Sequence, residues 1–141
     1  MKKFVKLLPS VMLIIATVFI LTACRPSTPE KAYEKLKADI GKVGYTVTEL
    51  TAEQTDGFPY AVTSGFRAVK EGETFVLILF NESLEGKPNA YTELSGGFAL
   101  LDANGGFSGS HGRFAYRSSK NDESEAGKIF SKTVNKNNSG Q

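Results

Sequence analysis

The sequence predicts an α+β domain of two layers, an antiparallel sheet of about four strands with helices packed on one face. Three observations point there. Residues 29–43 and 126–134 repeat apolar side chains at helical spacing. Four segments between them, opening at Tyr45, Val62, Glu73 and Arg113, are rich in β-branched and aromatic residues. Strands and long helices do not alternate regularly, which disfavours a doubly wound parallel sheet.

The first helix opens at Ser27-Thr28-Pro29-Glu30. Ser27 with Glu30 fits a capping box, and a proline is tolerated in the first turn. Tyr33, Leu36, Ile40 and Val43 mark one face, while Lys31, Glu34, Lys35 and Lys37 cover the other. Gly44 suits the position just past a helix end. Residues 45–50 read as the first strand, and 51–60 as a connection carrying Asp56-Gly57 and Phe58-Pro59. Residues 62–70, broken by Gly65, and 73–80 read as a hairpin turned at Glu71-Gly72.

Residues 86–112 hold seven of the 14 glycines. A short helix around 88–94 fits there, 98–101 extends it or forms a short strand, and 105–110 reads as a flexible loop. Residues 113–117 are the fourth strand. Asn121 is placed to cap a last helix, with Asp122, Glu123 and Glu125 near its positive end and Ala126, Ile129, Phe130 and Val134 as its apolar face. Residues 135–141 form a polar tail, expected to be disordered. The domain therefore spans 29–134.

The 141 residues carry a formal charge of +2. The first 23 contain Lys2, Lys3 and Lys6 and no acid, so the remaining 118 hold 14 basic and 15 acidic side chains. A near-neutral chain gives no electrostatic basis for nucleic-acid binding. Its length suits one modest core and excludes a two-lobed transport-type binding protein. One Cys and one His rule out an internal disulfide and a Cys/His metal cluster. No cofactor motif is present.

Leu7 to Ala23 is uncharged for 17 residues, and Pro9 and Ser10 interrupt it. A spanning helix wants ~20 apolar residues. A positive start, an apolar centre and a small-residue end make residues 1–23 a signal peptide instead. Its last residues, Leu21-Thr22-Ala23, with Cys24 resemble a bacterial lipobox: aliphatic, small, small, cysteine. The resemblance implies a diacylglycerol thioether on Cys24 and cleavage before it, on the extracytoplasmic face of the cell membrane. Residues 24–28 become a lipidated cysteine and short tether. Two acyl chains make a stable anchor where one binds marginally.

Three further segments, 38–47, 74–80 and 112–116, resemble small Gram-positive lipoproteins of unassigned function. The resemblance implies a compact α+β domain and carries over no site residue.

Candidate chemistry is sparse. A lipidated Cys24 is no nucleophile. His111 would need Ser108 or Ser110 for hydrolysis, and neither serine completes a Gly-x-Ser-x-Gly frame. The glycines at 105–109 lack the Lys-Ser/Thr of a phosphate-binding loop. The acids Asp122, Glu123 and Glu125 suit a helix start better than a calcium loop. Glu71 and Glu73 flank a hairpin turn and show no split acid and base environments.

Two features stand out. Phe75, Leu77 and Leu79 alternate with Val76, Ile78 and Phe80, so the third strand is apolar on both faces. Its second face needs a cover, from the 81–112 segment or from a partner. Arg67, Arg113 and Arg117 lie on strands, and on the last strand they alternate with Phe114 and Tyr116. They form a candidate patch for an anionic group. The expectation is a lipid-anchored envelope protein with a non-catalytic binding domain, its partners the membrane through Cys24 and an envelope protein or anionic polymer. The alternatives are a structural subunit of an envelope complex, or a small hydrolase using His111.

Overall fold

A computed structural model describes residues 28–138. The signal segment, Cys24, Arg25 and Ser27 lie outside the described residues. The elements in order are α1 (Pro29–Lys42), β1 (Thr46–Glu49), α2 (Ala52–Thr55), β2 (Val62–Lys70), β3 (Glu73–Phe80), α3 (Ala90–Ala99), β4 (Phe107–His111), β5 (Phe114–Ser118) and α4 (Glu125–Asn138). The strands form one sheet in the order β1-β2-β3-β5-β4, and every neighbouring pair is antiparallel. The α+β class holds. No helix among the described residues is long and apolar enough to cross a membrane.

Local chemistry accounts for the element ends. The cap of α1 is Thr28 rather than Ser27: its hydroxyl accepts the Lys31 N–H at 3.2 Å. The cap of α4 falls at Ser124, not Asn121, because the Ser124 hydroxyl is the group that accepts the Gly127 N–H, at 3.0 Å. This helix also runs on to Asn138, past the expected start of the tail. In the β2–β3 hairpin Lys70 pairs with Glu73, and both turn residues are left-handed, Glu71 at φ 52° and Gly72 at φ 82°. That is the pattern of a type I′ turn, whose twist matches the flanking strands, and a residue with a Cβ adopts it only at some cost. Gly65 does not break β2. It pairs with Ile78, and the register shift falls between Val62 and Ser64.

Every residue of β3 is buried. Alternation sends Phe75, Leu77 and Leu79 to one face, where α1 brings Tyr33, Leu36 and Ile40 and α4 brings Ala126, Phe130 and Val134. The other face, Val76, Ile78 and Phe80, is covered from within the chain. Leu94 and Phe98 of α3, Leu84, Leu101, and Phe58 from the 51–60 connection pack there. Helices therefore lie on both faces of the sheet, which corrects the expected two-layer arrangement. An apolar strand at the centre of a sheet leaves no dry alternative.

The sheet has five strands rather than about four. The stretch expected to be a flexible glycine loop contains β4, an edge strand. Gly109 makes room for the Tyr116 ring, which lies 2.7 Å from where a Cβ would stand, and Phe107 stacks on the same ring at 6.4 Å. Arg113 is not in β5. It forms with Gly112 the two-residue turn between β4 and β5, so it leaves the alternating ladder.

The docking of α3 depends on close approach. A Cβ at Gly97 would stand 2.5 Å from the Phe58 ring, itself edge-on to Phe98 at 5.1 Å and Phe80 at 5.8 Å. Gly97→Ala should therefore lower the denaturant midpoint. In a helix without that contact the same change would raise stability by about 1 kcal/mol, so the sign of the shift decides. On the opposite face, Leu77→Ala should cost about 2–5 kcal/mol through lost burial and a residual cavity. A loss under about 0.5 kcal/mol in the same titration would mark Leu77 as a surface position.

Candidate functional site

Strand alternation divides β5. Phe114 and Tyr116 face α1 and α4, whereas Ala115 faces α3 with Arg117 beside it. Arg117 registers with Val76 of β3 and Ser108 of β4. Above it, α3 presents Tyr91, Leu94, Ser95 and Phe98, one helical face at i, i+3, i+4 and i+7. The Arg117 guanidinium carbon lies 5.5 Å from the Tyr91 ring centre and 5.6 Å from that of Phe98. Its Nη1 donates to Ser95 Oγ at 3.0 Å. Only 7% of Arg117 is exposed. Among the described residues it has no carboxylate within ion-pair distance.

A recess of about 70 Å³ opens between α3 and the β4–β5 pair beside this guanidinium. Leu84, Leu94 and Ala115 give it apolar walls, and Ser108 and Ser110 give it hydroxyls. Tyr91 stands over it, 65% exposed. A hydrogen bond from Ser108, and then the Arg117 guanidinium, hold the Tyr91 phenol below its ordinary value.

The other two candidate arginines stand elsewhere. Arg67 registers with the same Val76 from the opposite side, so its backbone lies about 9–10 Å from that of Arg117, two strand spacings. Its Nη2 pairs with Asp102 at 3.1 Å, its buried Nε has no hydrogen-bond partner, and it lines a separate recess of about 160 Å³ with Thr48, Leu50 and Gln54. Arg113 reaches Glu30 at the start of α1 at 3.0 Å, and its Nε donates to the Phe80 carbonyl at 2.7 Å. The three arginines thus do not make one shared patch. The turn position of Arg113 removes it, and Arg67 and Arg117 open into different recesses of one face.

Ser108, Ser110 and His111 do not converge. They lie on one strand, β4, and alternation turns the serines to the α3 side and His111 to the Tyr116 side. Gly105 and Gly106 lead into that strand and Gly109 lies within it, paired with Tyr116. Of the acids around the start of α4, Glu123 accepts from the Ser131 hydroxyl at 3.0 Å and Glu125 pairs with Lys70 at 3.0 Å. No group of three or more His, Cys, Asp or Glu among the described residues is placed to hold a metal ion.

A larger recess, about 300 Å³, lies at the β2–β3 turn beside Tyr45, Lys70, Glu73 and Lys120. Its central groups are already engaged. Buried Glu73 accepts from Tyr45 at 2.5 Å and from Ser118 at 2.8 Å, Tyr45 in turn accepts the Ala126 N–H at 3.4 Å, and Lys70 donates to the Val43 carbonyl at 2.6 Å. This network ties α4 and the end of α1 to the sheet.

Sequence reasoning missed Tyr91, Ser95 and Phe98. Their helical spacing was the available signal, masked by Gly96 and Gly97 in the same stretch. The chain matches no family model, and no curated protein or solved structure matches it significantly.

The buried network has a pH signature. Burial, then the hydrogen bond to Glu73, pushes the Tyr45 phenol up to about 12, and burial, then the charge of Glu123, pushes Tyr116 up to about 12. The unfolded chain gives up these protons near pH 10, before the folded chain does. The stability these two tyrosines contribute is therefore fully present below about pH 10 and lost between about pH 10 and 12. Tyr45→Phe should cost roughly 1–3 kcal/mol at neutral pH by leaving Glu73 a donor short. It should also shallow the alkaline fall, measured as thermal midpoint against pH. An unchanged slope would show that Tyr45 does not carry it.

Proposed function

We propose that this chain is a bacterial envelope lipoprotein, held through Cys24 on the extracytoplasmic face of the cell membrane, whose α+β domain binds an anionic partner without catalysis. The observation that carries this reading is the junction of Leu21-Thr22-Ala23-Cys24 with the folded domain, whose first helix cap is Thr28. Four residues, 25–28, span at most ~14 Å. A domain so tethered rides close to the bilayer. The resemblance to small Gram-positive lipoproteins supports the same reading.

The binding half of the proposal draws on Arg117. A buried cation facing a recess without a carboxylate of its own suits an incoming anion better than it suits stability alone. Arg67 is already paired with Asp102 beside a recess that also holds Glu49, and Arg113 belongs to the tethered end of the domain.

Mass spectrometry of the membrane-expressed chain tests the anchor. The wild type should lack residues 1–23 and carry the added mass of a diacylglycerol. Cys24→Ser should keep the leader and gain no lipid. Equal masses for the two, less the oxygen-for-sulfur difference, would remove the anchor from the reading.

A further inference from the structure

The geometry points to the recess beneath α3 as a binding site for a small monocarboxylate carried on a short apolar chain, held by Arg117. This deepens the reading of the domain as a binding module and is independent of the anchor.

Burial and charge carry the inference. A guanidinium stays protonated at any accessible pH, so Arg117 cannot escape the cost of burial by losing its charge. The Ser95 hydroxyl, the Tyr91 phenol oxygen and the faces of Tyr91 and Phe98 offset part of that cost. No carboxylate among the described residues completes the pair. A planar carboxylate matches the guanidinium fork with two parallel hydrogen bonds.

Charge count and size narrow the ligand. The recess holds one cation, because Arg67 lies across Val76 in a different recess and is occupied by Asp102. A phosphate dianion would leave surplus charge against Leu84, Leu94 and Ala115. The room, about 70 Å³, is little more than twice the ~30 Å³ share of one water. It takes the carboxylate and its first methylene, and the rest of the apolar chain leaves through the mouth beside Tyr91. Ser108 and Tyr91 supply neutral hydroxyls at that mouth.

Thermal melting of the full chain in detergent micelles, titrated with sodium butyrate, tests this. Butyramide, the uncharged isostere, and inorganic phosphate serve as the comparison probes. Butyrate should raise the wild-type midpoint saturably, by roughly 4–8 °C at about ten times the half-saturating concentration. Butyramide and phosphate should leave it in place. Arg117→Met keeps the apolar stem and removes the charge; it should melt no lower than the wild type without ligand and ignore butyrate. Tyr91→Ala alters an exposed ring, keeps the fold, and should weaken half-saturation several-fold. A wild type unmoved by butyrate, an equal shift with butyramide or phosphate, a response surviving in Arg117→Met, or an unchanged Tyr91→Ala would each overturn the assignment. A chain with lipid mass that ignores butyrate fails here alone. A chain that binds butyrate without lipid mass keeps this site and loses the anchor.

Discussion

Burial of β3 on both faces is the constraint from which the rest of the architecture follows. Its eight residues sit at the middle of the sheet with no exposed side. Phe75, Leu77 and Leu79 call for a helical layer, and α1 and α4 supply it. Val76, Ile78 and Phe80 call for a second cover, and the connections between strands supply it. The 51–60 segment gives Phe58, and the glycine-rich 86–112 segment gives α3 and the edge strand β4. Segments that look like linkers by composition are structural layers because an apolar strand face cannot be left wet.

Covering that second face also creates the candidate site. A guanidinium on a bare sheet would be solvated and of little consequence. Under α3 it is desolvated, flanked by two aromatic rings and left beside a recess. The same layer separates Arg67 from Arg117, although both register with Val76. Function, in this reading, is a by-product of core completion: the helix that seals the hydrophobic face is also the lid of the polar recess.

The opposite solution operates at the β2–β3 turn. There Glu73 is buried at the strand start, and its charge is met by the Tyr45 and Ser118 hydroxyls, with Lys70 and the α4 start closing the periphery. A polar network of this kind fixes the relative position of elements. The contrast with Arg117 is what singles out the latter.

The sequence by itself determined the elements whose information is local. The i, i+3, i+7 spacing of Tyr33, Leu36 and Ile40 placed α1, the Glu71-Gly72 pair placed the hairpin, and alternation assigned each β3 side chain to its face. Side-chain period is a property of the backbone, so it reads directly from the chain. Cap choice between Ser27 and Thr28, one residue apart, or Asn121 and Ser124, three apart, depended on which side-chain oxygen meets the helix N–H. Tertiary structure alone decided β4, the face taken by α3 and the fates of the three arginines. Phe107 and Gly109 pack as a strand on the Tyr116 ring, and Gly97 serves α3 only because Phe58 arrives from thirty-nine residues away. The Phe58–Gly97 contact is long-range and has no period, so it leaves no trace in local composition.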